Sequence, residues 1–456
     1  MKIRNILLLF ALVSVFACKP ELDDFTTTNG DADFTKYVAI GNSLTAGYTD
    51  GDLFKSGQEN SYPSMLAYQM EAAGGGEFKQ PLMLDEFGFG KRLLLDVSRP
   101  GPVPAGGTPN PENYNPIGDQ GPFNNMGVPG AKCFHLIAPN YGIDPENGNP
   151  YFYRFASNPS ATVLDDAAAQ QATFFSCWIG NNDVLTYALS GGTKDAVTDI
   201  ATFEGAMDLI LGTMTANEAK GVVANIPDIS NIPYFSAIPF NGLELRQGQA
   251  DTLNGAYYQI GNAIGYTYPF TFVKGFNPFL VSDADSPLPS PFNVRQIQQG
   301  ETILLPALPY IQLAGMGTLD LSGDNAMPYG IPDSLYLSSI EMSDIQNAII
   351  GYNTKLEFFK DKYDLALMDA HEIFLDFAAD GFEYEGIIYT NDFLQIPEDD
   401  PDRDKKVTAF SSDGVHMTAQ GYALVANFFI DAINDKYKAQ LKPVNPNLYP
   451  GLYYFQ

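Results

Sequence analysis

Four short apolar runs, each broken by a polar corner, constrain what this chain can fold into. They are 37–40 (YVAI), 173–179 (TFFSCWI), 221–226 (GVVANI) and 364–368 (DLALM). Runs of this length and composition suit parallel strands buried on both faces. Between them lie stretches with helical apolar spacing, predicted over 62–72, 194–219, 340–361 and about 418–437. Regular structure also resumes at 123–131 (FNNMGVPGA) after a long irregular stretch. Alternation of this kind predicts an α/β fold, a parallel sheet with helices on both faces in three layers.

The first run ends in Gly41-Asn42-Ser43-Leu44. Gly41 stops the strand, Asn42 suits a turn, and 44–46 can start a helix. Ser43 therefore stands at the carboxyl end of a strand, where open α/β sheets bind ligands. A helix N-terminus there can meet a developing negative charge. A serine after a glycine is also ordinary turn chemistry. As a nucleophile, Ser43 needs a base, a group that orients the base, and oxyanion donors. The chain has only three histidines: His135, His371 and His416. His416 lies in Asp413-Gly414-Val415-His416, where a carboxylate three residues earlier can reach the imidazole and fix its tautomer. His371, with Asp369 and Glu372 close in sequence, is a rival; His135 has no adjacent acid.

Four blocks then carry a resemblance. They are Gly41-Asn42-Ser43-Leu44, Asn125-Met126-Gly127-Val128-Pro129-Gly130, Gly180-Asn181-Asn182-Asp183 and Asp413-Gly414-Val415-His416. In this order the chain resembles the SGNH, or GDSL-like, hydrolase superfamily, with Asn42 where many members have Asp. The resemblance implies a flavodoxin-like sheet and Ser43, Asp413 and His416 as catalytic residues. It implies an oxyanion hole made of the Ser43 and Gly130 backbone N–H groups and the Asn182 side-chain amide. It also implies ester hydrolysis through an acyl-serine, without metal or other cofactor. Lipid or short acyl esters and acyl groups on glycans compete as substrates. The alternative is a non-catalytic surface protein that binds glycans or other ligands on the same fold. The G-x-S-x-G elbow of the α/β-hydrolases occurs around none of the serines. There is no H-E-x-x-H, and the acidic clusters Asp50-Gly51-Asp52 and Asp399-Asp400-Pro401-Asp402 read as solvated loops.

Two stretches fall outside the resemblance. Residues 77–122 are rich in Gly, Pro and Asn and read as a surface excursion; 232–338 carry Pro and aromatic residues every few positions. Both read as insertions in one hydrolase domain over 34–456. Part of the second, 243–264, is expected to be helical and to continue the core. The tail, from 445 onward, is aromatic and is expected to dock on the body.

The beginning of the chain reads as export machinery. Residues 1–17 have a basic start and a short apolar core, the pattern of a signal peptide. Val15-Phe16-Ala17-Cys18 resembles the lipobox of bacterial lipoproteins, which implies lipidation of Cys18; ordinary secretion with cleavage near Ala17 is the competing reading. Residues 18–33 then form the lipidated cysteine and an acidic tether, similar in composition to surface-export signals of Bacteroidetes lipoproteins. The expected location is the outer membrane, on its periplasmic face or the cell surface, with the lipid as the only membrane attachment. Lys+Arg number 25 against 54 Asp+Glu, a net charge of −29. A surface this acidic repels phosphate backbones, so nucleic acid is excluded as a partner. Cys133 and Cys177 either pair or sit as small buried thiols.

Overall fold

The computed structural model describes residues 26–96, 101–323, 326–393, 401–452 and 454–455. The signal segment, Cys18 and the first part of the tether lie outside the described residues, as do Asp399 and Asp400.

A five-stranded parallel sheet forms the centre. Its strands are β1 (Tyr37–Gly41), β2 (Asn125–Gly127), β3 (Phe174–Trp178), β4 (Lys220–Ala224) and β5 (Ala366–Met368). They lie side by side in the order β2-β1-β3-β4-β5, every neighbouring pair parallel. The chain leaves β1 toward one edge and returns to build the other, so β1 and β3 flank the point where strand order reverses. Clefts at the carboxyl ends of such a pair are where doubly wound sheets take ligands. Gly41 is level with Gly127 on one side and Trp178 on the other. A Cβ on Gly41 would lie 2.0 Å from Thr45 Oγ1 and 2.4 Å from the Trp178 carbonyl oxygen, so only glycine lets the chain turn this tightly.

Among the described residues seven helices run eight residues or longer: α1 (Tyr62–Glu71), α2 (Asn181–Ala188), α3 (Ile200–Thr215), α4 (Gln247–Ile264), α5 (Ser339–Lys362), α6 (Ala370–Ala379) and α7 (Ala419–Tyr437). All five residues of β3 are buried, so both faces of the sheet are covered. On one face Trp178 meets Tyr62 of α1 and Phe429 of α7, whose rings stack at 4.7 Å. Over the other lie α3 and α5, locked by Phe203 stacked on Tyr352 at 4.1 Å. Helix α3 starts at Ile200 and not at 194, because the Asp199 side chain accepts from the Thr202 N–H and caps it there.

The two irregular stretches are ordered. Within 77–122, Leu93–Asp96 pairs with Pro102–Pro104, and the tail strand Tyr454–Phe455 joins that small sheet. Arg154, 1% exposed, donates to the carbonyls of Pro81 and Leu82 at 3.1 Å each and pins the excursion from beneath. Between 232 and 338, short antiparallel pairs enclose apolar clusters of their own. Helix α4 packs into one of these, through Ala250 and Tyr257 against Tyr268, Phe272 and Leu280, and does not continue the main core as the sequence suggested. Its aromatic neighbours lie within the same stretch of chain, so its apolar side is satisfied locally.

Candidate active site

Ser43 is placed by local chemistry. Asn42 caps a short helical turn, Ser43–Ala46, by accepting from the Leu44 N–H at 3.0 Å, and Gly47 closes it in a left-handed conformation. The hydroxyl is thus presented at the carboxyl end of β1. The predicted base arrives from the far end of the sequence. Between Ser411 and His416 the chain closes a tight loop, with the Ser411 N–H donating to the His416 carbonyl and the Gly414 N–H to that of Ser411.

The three side chains form one hydrogen-bonded line. His416 Nε2 is 2.9 Å from Ser43 Oγ, and His416 Nδ1 is 2.8 Å from Asp413 Oδ2. Tyr48 packs against the imidazole at 4.6 Å between ring centres. Asp413 is held by more than the histidine. Its Oδ1 accepts from the Val415 and His416 N–H groups at 2.8 Å and from Ser411 Oγ at 3.1 Å; its Oδ2 also accepts from the Gly51 N–H at 2.9 Å. Burial by itself would raise this carboxyl, but the His416 ring and the amide donors outweigh it and hold Asp413 well below the usual carboxylate range. A carboxylate charged throughout the neutral range, bonded to one ring nitrogen, leaves the other free to take a proton from Ser43.

The remaining predicted residues are close but not equivalent. Asn182 lines the cleft beside Ser43, and its Nδ2 donates to the Ala131 carbonyl at 2.9 Å. Gly130, exposed and at φ +80°, precedes Ala131, whose carbonyl holds the Asn182 amide. The third block follows the apolar run 173–179 as a polar corner. It is the start of α2, because Gly180 at φ +113° turns the chain directly from β3 into the helix. His371 sits in the first turn of α6 and makes no bond to Ser43; its Nδ1 is buried without a partner. His135 Nδ1 accepts from the Lys132 N–H, and its ring stacks on Tyr141.

Several supporting residues escaped the sequence reading. The Asp50-Gly51-Asp52 cluster is not solvated: Asp50 is 6% exposed and Asp52 is fully buried. Asp50 Oδ1 accepts from the Ser412 N–H and hydroxyl, beside the loop that carries Asp413 and His416. Asp52 accepts from the Leu53, Phe89 and Lys91 N–H groups, so it joins the excursion to the corner after β1. Burial pushes both carboxyls up, against the pull of these bonds. Asp183, the last residue of the third block, binds the Cys133 N–H at 2.9 Å and its Sγ at 3.1 Å. Cys133 and Cys177 are accordingly separate buried thiols, with no disulfide between them. The only sequence signal for the first pair was their closeness to Ser43; acid-Gly-acid otherwise reads as solvent-facing.

The cleft over Ser43 opens to solvent. Its wall is mostly hydrocarbon, from Leu44, Leu185, Ile229, Ile232, Phe374 and Val415, and its polar groups are Asn42, Ser43, Asn181, Asn182 and His416. A second cavity lies between Phe54, Arg92 and Thr418 and contains no nucleophile–base pair. Among the described residues no group of three or more His, Cys, Asp or Glu side chains could hold a metal ion, and no helix is long and apolar enough to cross a membrane.

No protein-family profile and no curated protein sequence matches the chain. Among solved structures, the crystal structure of LAE5, an alpha/beta hydrolase enzyme from the metagenome of Lake Arreo, Spain, aligns over 88% of this chain and 96% of its own. The identity is 10% and the TM-score 0.34, a likeness too slight to carry an argument about fold or activity.

Proposed function

We propose that this chain is a serine ester hydrolase of the SGNH type. The observation that carries the reading is the unbroken line Asp413–His416–Ser43 at the mouth of an apolar cleft. The strand order β2-β1-β3-β4-β5 supports the flavodoxin-like arrangement that the four blocks imply. His416 Nε2 takes the Ser43 proton as Oγ attacks the ester carbonyl carbon. The tetrahedral oxyanion faces the Ser43 N–H, with the Asn182 amide and the Gly130 N–H as the further donors of the resemblance. Collapse expels the alcohol, which receives the proton from His416, and leaves an acyl-serine. Water, deprotonated by the same nitrogen, then releases the acid.

The hydrocarbon wall favours an apolar acyl ester. A glycan platform would call for several exposed aromatic faces, and this cleft offers only Phe374 beside the catalytic histidine. In the same reading the two long stretches are insertions in one domain, and the chain is an outer-membrane lipoprotein attached through Cys18, on the strength of residues 1–18.

The test is hydrolysis of p-nitrophenyl butanoate by the wild type, Ser43→Ala and His416→Ala, with fluorophosphonate labelling alongside. Each substitution is expected to lower kcat by about 10⁴- to 10⁶-fold, as loss of a nucleophile or base does in serine hydrolases. A folded wild type that the probe leaves unlabelled at Ser43 would favour the ligand-binding reading instead.

A further inference from the structure

One polar side chain in the wall of the cleft has no partner. Asn181, the first residue of α2, is 6% exposed, and its Oδ1 and Nδ2 are both buried without a hydrogen bond. A carboxamide carries one strong acceptor and two donors, and buried amides almost always use both kinds. No neighbour bonds it. Asn182 Nδ2 donates to the Ala131 carbonyl, and His416 and Ser43 bond each other. Leu185, Ile229, Ile232 and Phe374 in the same wall have no polar side-chain atom.

We propose that Asn181 is a specificity-determining residue. It pairs with a substrate group that both donates and accepts a hydrogen bond, a hydroxyl or a secondary amide, placed within a few atoms of the scissile carbonyl. The inference rests on the ester-hydrolase reading of the cleft. Asn181 precedes Asn182, so a group that meets it sits beside the reacting carbonyl and not at the far end of a chain. A plain hydrocarbon ester fills the apolar wall but leaves the buried amide atoms without a partner. A hydroxyl offers a donor for Oδ1 or an acceptor for Nδ2, and a secondary amide offers its N–H to the one or its carbonyl to the other. Sites with a buried polar group awaiting a partner discriminate sharply against analogues that lack it.

The experiment measures kcat/KM for matched esters with the wild type, Asn181→Leu and Asn181→Asp. The pairs are p-nitrophenyl butanoate against its 3-hydroxy derivative, p-nitrophenyl butanoate against p-nitrophenyl N-acetylglycinate, and ethyl butanoate against 2-hydroxyethyl butanoate. They place a hydroxyl or an amide on the acyl side and a hydroxyl on the alcohol side. The readout is the ratio within each pair, which a loss of folded enzyme does not move. At least one wild-type ratio is expected to favour the polar ester by about ten- to a hundredfold and to fall toward one in both variants. Wild-type ratios near one, or ratios that survive both substitutions, overturn the inference and leave ester hydrolysis standing. Failure of the wild type to hydrolyse any of the esters overturns both readings.

Discussion

Replacing Asp413 with Asn probes the site without changing its shape. The carboxylate accepts five hydrogen bonds: three at Oδ1, from Ser411, Val415 and His416, and two at Oδ2, from Gly51 and His416 Nδ1. An asparagine has one acceptor oxygen and must choose. With its oxygen at the Oδ2 position, three donors face an N–H. With its oxygen at the Oδ1 position, only the Gly51 N–H is left unpaired, provided His416 shifts its proton from Nδ1 to Nε2. Each unpaired buried donor costs about 1–3 kcal/mol, so the second arrangement wins. That arrangement leaves Nε2 protonated opposite Ser43 Oγ, unable to act as a base. The expected loss in kcat is about 10⁴-fold, the size of the wrong-tautomer effect in serine proteases, or about 5–6 kcal/mol of barrier. Stability should fall by only about 1–3 kcal/mol. The depressed acidity of Asp413 sets a sign as well. A carboxyl held below its unfolded value, about 3.9, stabilises the fold above that pH, and the contribution is lost as pH falls through the lower folded value. The wild type should therefore lose stability steeply in acid below about pH 4, and Asp413→Asn should flatten that limb. Initial rates on p-nitrophenyl butanoate and urea unfolding from pH 3 to 8 measure both. A variant with kcat within tenfold of the wild type and an unchanged acid limb would refute the reasoning.

Two further substitutions test the scaffold. Asp52→Ala removes the acceptor of three N–H groups in a fully buried position, so unfolding free energy should drop by about 3 kcal/mol or more, and limited proteolysis should open 86–96. Intact proteolytic resistance would show that the excursion is held by other contacts. Gly41→Ala forces a Cβ against Thr45 and the Trp178 carbonyl, and the urea midpoint should report a loss of about 3 kcal/mol, toward the upper end for overpacked sites.

The local parts of the site were legible in the sequence because they depend on residues close along the chain. Asp413 and His416 are three residues apart in a turn, and the turn alone brings carboxylate to imidazole. Strand, glycine and cap put Ser43 on a corner whatever surrounds it. The same local reasoning failed where a neighbour far along the chain decided the outcome. Asp50 and Asp52 have the composition of a solvated loop, yet Ser412, Phe89 and Lys91 bury them. Helix α4 has a periodicity that says where its apolar side points but not which core receives it.

The sequence by itself determined the α/β alternation, the corner that carries Ser43, and the pairing of Asp413 with His416, since propensity, capping and turn geometry act within a few residues. Only the tertiary structure decided that His416 Nε2 meets Ser43 Oγ across 373 residues of chain. It alone also built a hydrocarbon cleft from five distant segments and left the Asn181 amide in its wall without a partner. Those outcomes depend on sheet order and on what packs above the carboxyl ends of the strands, which no local pattern encodes.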